Sequence, residues 1–216
     1  MTTSTGWLDL LATNRIAAMR EFLLGWYPGP APVPPTPGLP VALAELYAIA
    51  AGRPDVMGTQ NGLYAPDELR TDPHEGLLVF AAENQGNFSW MIDPTEEDPV
   101  VWLVRQRAHP VAEREQLSGF LVQFCLLEAL MSGPLNAFCW SEPLADPSRV
   151  TAELQEVPLA PWHWPGDPTR FFVASDLVLC TCAHDDGHVD ILAGARTPDA
   201  LATLAGTGVP WDHYDG

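Results

Sequence analysis

The feature that most constrains the fold is an apolar stretch over residues 114–131, which ends at Gly133 and Pro134. Its large apolar side chains recur at helical spacing and form a wide stripe: Leu117, Phe120, Leu121, Phe124, Leu127 and Met131. Gln123 and Glu128 interrupt the stretch, which also falls short of the ~20 residues that a membrane-spanning helix needs. The pattern therefore predicts the strongest helix of the chain, and no membrane span.

The charge balance limits the classes of partner. The 216 residues include 28 acidic and 10 basic side chains, for a formal charge of −18. A field of that sign repels phosphate backbones and anionic membrane surfaces, so we expect neither direct nucleic-acid binding nor membrane binding. The N-terminal apolar stretch contains Asp9 and has no basic residue before Arg15. It is therefore unlike a secretory signal, and we expect a cytoplasmic protein.

Three strand-like runs follow one another at 77–82, 87–93 and 100–105. Only short polar segments separate them, which predicts an antiparallel meander. In the middle run Phe88 and Trp90 lie on one face, so we expect that face to pack against helices. Further strands are predicted at 171–175, 177–183 and 188–193, with a last helix at 198–204. The fold class is therefore α+β, with an antiparallel meander sheet packed against helices.

The N-terminal part of the chain has a different organisation. Apolar residues at helical spacing predict an amphipathic helix over 7–26. Six Pro residues within 28–38 make the next segment a stiff, extended connector, and Leu39-Pro40 heads a second helix. We therefore divide the chain into residues 1–38, an added helix with its connector, and residues 39–216, the α+β domain.

The central part of the chain carries several motifs in a set order. They are Leu39-Pro40 at the head of a helix, Gly52 and Asn61-Gly62 in the loop after it, Leu78-Val79-Phe80-Ala81 before a turn, Gly86-Asn87-Phe88-Ser89-Trp90 after that turn, Pro99-Val100-Val101-Trp102, and Leu117-Ser118-Gly119-Phe120-Leu121. Over about residues 39–131 the chain resembles the SUKH superfamily, SMI/KNR type. The resemblance implies an α+β domain that acts by binding, because many bacterial members are thought to be immunity proteins that neutralise polymorphic toxins, often nucleases. It implies no catalytic residue.

The acidic charge agrees with that expectation on physical grounds. A nuclease must be basic to approach phosphates, so an acidic inhibitor can occupy the same surface and reach it faster by electrostatic steering. We therefore expect a non-catalytic protein-binding domain whose partner is a basic toxin domain. An intracellular scaffold or regulatory interaction protein is the second alternative, and a metal-dependent enzyme is the third.

Two segments are candidates for the partner-binding surface. The first is the acidic loop with Glu96, Glu97 and Asp98, which is alternatively a solvated hairpin loop that only aids solubility. The second is the loop with Trp162 and Trp164. Its rings either project as anchors for a partner or plug the loop into the core. The sequence leaves both alternatives open.

Five possible metal ligands fall within eleven residues: Cys180, Cys182, His184, His188 and Asp190. Whether they converge depends on the register of the predicted hairpin. With a two-residue turn, His188 and Asp190 lie on the face opposite the cysteines. With a three-residue turn, His184 pairs with His188 and Cys182 with Asp190, so that a site becomes possible. Because buried free Cys commonly packs as a small apolar residue, we expect no bound metal.

Signals for catalysis are weaker. The sequence has no Gly-x-Ser-x-Gly, no phosphate-binding loop and no His-Glu-x-x-His. Cys125 falls within the apolar helix, where formation of a thiolate is disfavoured. We therefore predict no catalytic residue, no cofactor and no metal ligand.

Overall fold

The computed structural model describes residues 4–73, 75–105, 108–140 and 147–216. Its helices are α1 (Arg15–Trp26), α2 (Val41–Ala50), α3 (Leu117–Met131), α4 (Ser148–Thr151) and α5 (Pro198–Ala202), with 3-10 helices at Gly6–Leu10, Pro54–Met57 and Ala205–Thr207. Its strands are β1 (Asn61–Leu63), β2 (Arg70–Thr71), β3 (Leu78–Glu83), β4 (Phe88–Ile92), β5 (Val100–Arg105), β6 (Val111–Gln116), β7 (Leu135–Cys139), β8 (Gln155–Glu156), β9 (Thr169–Ala174), β10 (Leu177–Ala183), β11 (Val189–Ala195) and β12 (His213–Tyr214). The α+β fold class is confirmed.

The described strands form two antiparallel sheets. Sheet A has the order β1-β3-β4-β5-β6, and β2 also pairs with β3. Sheet B has the order β12-β7-β11-β10-β9-β8. The predicted meander is therefore confirmed as β3, β4 and β5 of sheet A. The three strands predicted near the C-terminus are β9, β10 and β11, which form the middle of sheet B.

Helix α3 is covered on all sides, which goes beyond the wide apolar stripe that its sequence predicts. Fourteen of its 15 residues are buried. It packs against α1 and α2, against β5 and β6 of sheet A, and against β10 and β11 of sheet B. The contact with β11 is close, because a Cβ at Gly194 would lie only 2.2 Å from the carbonyl oxygen of Leu130. None of the described helices is long and apolar enough to cross a membrane.

An aromatic cluster joins sheet A, α3 and sheet B. Trp90 of β4 lies 5.5 and 6.0 Å, between ring centroids, from Phe120 and Phe124 of α3. Trp162 stacks on Trp90 at 5.8 Å and lies 6.3 Å from Phe171 of β9. A second, smaller core lies on the other face of sheet B, against α4 and α5. Sheet B therefore packs against α3 on one face and against the short helices α4 and α5 on the other.

The N-terminal helix differs from its prediction. The sequence predicts one helix over 7–26, but a 3-10 helix (Gly6–Leu10) comes first and α1 begins only at Arg15. Asn14 accounts for the break, because its side-chain oxygen accepts a hydrogen bond from the amide of Ala17 at 3.0 Å and caps α1. Both helices pack into the same core as α2 and α3. The division of the chain after the connector stays a prediction.

The start of α3 also differs from its prediction. The sequence predicts a helix from about residue 114, but α3 begins at Leu117 and the preceding residues form β6 at the edge of sheet A. Glu113 and Glu115 are buried while their neighbours in β6 are exposed. This alternation is typical of a strand with one buried face. A search for alternating apolar and polar residues does not detect it, because the inward-facing residues are acids.

Candidate protein-binding surface

The predicted acidic loop connects β4 to β5, and its first residue fixes its shape. Asp93 accepts hydrogen bonds from the amide and the hydroxyl group of Thr95, at 2.9 and 2.7 Å. These bonds hold the pKa of Asp93 below its usual value. Glu96 and Glu97 follow at the exposed end of the loop. The loop therefore presents two carboxylates to solvent.

Asp98 has a structural role that Glu96 and Glu97 do not share. Its two carboxylate oxygens accept hydrogen bonds from the amide and the hydroxyl group of Ser118, at 2.8 and 2.7 Å. Ser118 is the second residue of α3, so Asp98 caps the start of that helix from a distant part of the sequence. Asp98 therefore holds α3 in place, whatever part it has in binding.

An open cavity of about 520 Å³ lies beside the acidic loop. Glu97 and Asp98 line one part of it, and the segment that leads into α1 lines another. Half of the twelve lining residues are apolar: Leu11, Ala12, Ile16, Val41, Ala42 and Pro158. Val41 is 55% exposed and is among the few large apolar side chains at the surface of the described chain. The cavity thus combines apolar contact area with carboxylates.

The charge around the cavity is negative. Arg15 lines the cavity, but its guanidinium lies 2.8 Å from Oε2 of Glu115. Oε1 of Glu115 also accepts a hydrogen bond from the amide of Ala160 at 2.7 Å, which keeps this carboxylate in place. The three carboxylates of Glu97, Asp98 and Glu115 against the one guanidinium of Arg15 leave a net charge of −2. The site therefore favours a cationic ligand over an anionic one.

The second predicted binding segment is mostly part of the core. Trp162 is only 1% exposed and stacks on Trp90, so its assignment to a partner-binding surface is corrected. Trp164 is half-buried, with its ring edge-on to Phe88 at 5.0 Å between centroids. Trp162 is therefore a core residue that anchors its loop, as the second alternative predicts. Trp164 keeps only part of its surface for a partner.

An ion-pair network fastens the Trp-containing loop to β6. Arg114 donates hydrogen bonds to the carbonyl of Pro161 at 2.9 Å and to Oδ1 of Asp167 at 2.6 Å. The other oxygen of Asp167 lies 2.7 Å from Nδ1 of His163. Burial raises the pKa of Asp167, but the hydrogen bonds from Arg114 and His163 outweigh it and hold the pKa below its usual value. These contacts hold the loop in a fixed position.

The buried acids of β6 are residues that sequence reasoning missed. Glu113 accepts a hydrogen bond from Nε1 of Trp90 at 2.9 Å, inside the aromatic cluster. Burial raises the pKa of Glu113, and the Trp90 bond offsets part of this effect. The predicted helix begins at about residue 114, which places Glu115 in its first turn and leaves Glu113 without a predicted role. Their spacing of two residues, on either side of Arg114, is the sequence signal that could have indicated a strand.

The hairpin of β10 and β11 has the register of the three-residue turn. Cys182 pairs with Asp190, and the amide of His184 donates to the carbonyl of His188 at 2.8 Å. The carboxylate of Asp190 lies between the two rings, 2.8 Å from Nε2 of His184 and 2.8 Å from Nε2 of His188. The sulfurs of Cys180 and Cys182 are 3.6 Å apart and buried in the main core. Within the described ranges, no three His, Cys, Asp or Glu residues are arranged to hold a metal ion.

All four cysteines are buried thiols. Burial raises the pKa of Cys125 and of Cys180, and contact with Cys182 raises that of Cys180 further. A raised pKa disfavours the thiolate, which is the nucleophilic form. These two thiols are therefore poorly suited to nucleophilic catalysis.

No protein-family model, curated protein or solved structure matches this chain. The shape and charge of the surface around the acidic loop are therefore the observations that bear on function.

Proposed function

We propose that this chain is a non-catalytic protein-binding domain that neutralises a basic toxin, as an immunity protein does. The observation that carries the proposal is the cavity beside the acidic loop, where Glu97 and the exposed Val41 lie together. Protein interfaces combine an apolar centre, which supplies binding energy by desolvation, with charged groups that orient the partner. The acidic loop and the cavity supply both.

The charge of the whole chain supports the same proposal. A formal charge of −18 attracts a basic protein and accelerates its encounter with the chain. A nuclease toxin carries its basic surface where nucleic acid binds, so an acidic inhibitor competes with the substrate for that surface. The resemblance of residues 39–131 to the SUKH superfamily supports the immunity class in particular.

The experiment first asks whether a gene next to that of this chain encodes a toxin domain, and then tests that domain in a bacterial growth assay. Co-expression of the wild-type chain is expected to restore growth. A chain with Glu96→Gln and Glu97→Gln is expected to restore growth less well at equal expression, because it associates more slowly. The matched control is Glu153→Gln with Asp185→Asn, which removes two exposed charges from segments next to sheet B.

The growth assay also defines what contradicts the proposal. If cells that contain the wild-type chain at immunoblot-verified levels still fail to grow, the chain does not neutralise that toxin. A gene neighbourhood without any toxin domain would instead favour the scaffold or regulatory alternative.

A further inference from the structure

We infer that the cavity beside the acidic loop binds an arginine side chain of the partner. This inference rests on the proposed function and names the chemical group that the site recognises. The cavity volume of about 520 Å³ lies within the ~300–1,000 Å³ typical of sites that hold small ligands. It therefore has room for one long side chain and part of the backbone that carries it. Residues 11–16 line it on one side and the acidic loop on another, and Val41 and Ala42 of α2 complete much of the remaining lining.

The charged groups around the cavity select a cation. Arg15 is paired with Glu115 at 2.8 Å, and among the described residues of the lining no second guanidinium neutralises the carboxylates of Glu97 and Asp98. Asp98 donates nothing and accepts one hydrogen bond at each oxygen from Ser118. Each carboxylate oxygen has a second acceptor position, so Asp98 can bind a ligand without giving up its contact with α3.

The apolar lining selects a long side chain over a metal ion. A hydrated ion gains nothing from contact with Ile16 or Val41, whereas the aliphatic stem of an arginine packs against such groups. The planar guanidinium is also more weakly hydrated than the ammonium group of lysine, and its donors can reach two acceptors at once. Arginine is therefore the side chain that uses both kinds of lining.

The test is an NMR titration of the full-length, ¹⁵N-labelled chain with N-acetyl-arginine methylamide. The matched neutral probe is N-acetyl-citrulline methylamide, which has nearly the same shape but no charge. We expect saturable shifts of the backbone amides of Ala12, Thr13 and Ser118 with the arginine probe, with half-saturation on the order of 1 mM. We expect shifts at least about fivefold smaller with the citrulline probe at equal concentration.

Two adjacent acids provide a matched pair of variants. Glu96 and Glu97 are both exposed and carry the same charge, but only Glu97 lines the cavity. Glu97→Gln is expected to weaken binding of the arginine probe at least about fivefold, and Glu96→Gln less than about twofold, because only the long-range attraction is lost there. Ala12→Trp, at an exposed lining position, is expected to fill the cavity and abolish the shifts. The dispersion of each spectrum verifies the fold.

Equal shifts with the citrulline probe would overturn the inference, as would equal losses in the two glutamate variants. The growth assay separates this result from the proposed function. A chain that neutralises the toxin but does not bind the arginine probe retains the proposed function and loses only the arginine site.

Discussion

At the residue scale, buried carboxylates connect parts of the chain that are distant in sequence. Glu128 of α3 is 1% exposed, and its oxygens accept hydrogen bonds from the amides of Thr59, Gln60 and Asn61 at 2.6 to 2.8 Å. These bonds fasten the loop before β1 to α3. The sequence shows Glu128 only as an interruption of the apolar stripe. A buried acid is predictable only when its donors are known, and here they lie more than sixty residues away.

The cap on α3 gives the first prediction. Asp98→Ala is expected to lower the free energy of unfolding by about 1–2 kcal/mol, because the amide and hydroxyl of Ser118 lose their acceptor. Glu96→Ala, in the same loop but exposed, is expected to change it by less than about 0.5 kcal/mol. Urea unfolding followed by circular dichroism measures both. Equal midpoints for the two variants would show that Asp98 does not cap the helix.

At the element scale, local sequence patterns predict the strongly apolar helices and strands. They miss the strands that form only by pairing with strands distant in sequence. The body of α3, helix α2 and the meander follow from the spacing of their apolar residues. Strand β7 pairs with β11 and β12, which lie about fifty or more residues later, so no local signal predicts it. The candidate site shows the same limit. Glu96 and Glu97 are predictable as an exposed acidic run. The cavity beside them, however, depends on the break between the first 3-10 helix and α1, and the only sequence signal for that break is the helix-capping residue Asn14.

The contact between α3 and β11 gives the second prediction. Gly194→Ala is expected to lower the free energy of unfolding by about 2 kcal/mol or more, because its Cβ would lie 2.2 Å from the carbonyl oxygen and 2.4 Å from Cα of Leu130. Gly62→Ala in β1 is the matched control, since its Cβ would have no neighbour within 4 Å. That variant is expected to be neutral or to stabilise by up to ~1 kcal/mol. Similar unfolding midpoints for the two variants would contradict the close packing of α3 on sheet B.

At the scale of the whole molecule, ionisation of acids opposes folding at neutral pH. Burial raises the pKa of Glu113 and of Glu128, so the folded state binds more protons than the unfolded state between the usual glutamate pKa and the raised values. The stability that these groups contribute is complete below the usual value and is lost as the pH rises through the raised one. Repulsion among the many acids acts in the same direction. Asp167, whose pKa is lowered, acts in the opposite direction at acid pH.

These opposing effects give the third prediction, a melting temperature that is highest at mildly acid pH. Tm is expected to rise as the pH falls from about 8 to about 5, and to decrease once the pH falls below the usual aspartate pKa of about 4 and on through the lowered pKa of Asp167. Glu113→Gln retains an acceptor for Trp90 and is expected to flatten the decrease in Tm above pH 5. Differential scanning fluorimetry across this range measures both chains. A wild-type maximum at or above pH 7 would contradict the direction of the Glu113 and Glu128 shifts.

The most direct test of the central claim is the association rate with the toxin domain, measured by stopped-flow fluorescence across a salt series. Exposed charges act over a screening length of only about 10 Å at 0.1 M salt, so the rate for the wild-type chain is expected to fall steeply as salt is added. With Glu96→Gln and Glu97→Gln, association is expected to be slower at low salt and less dependent on salt. The control with Glu153→Gln and Asp185→Asn is expected to stay close to the wild type, because those positions lie outside the acidic loop and its cavity. Identical rates for the wild-type chain and the loop variant at every salt concentration would contradict the claim that the acidic loop steers a basic partner.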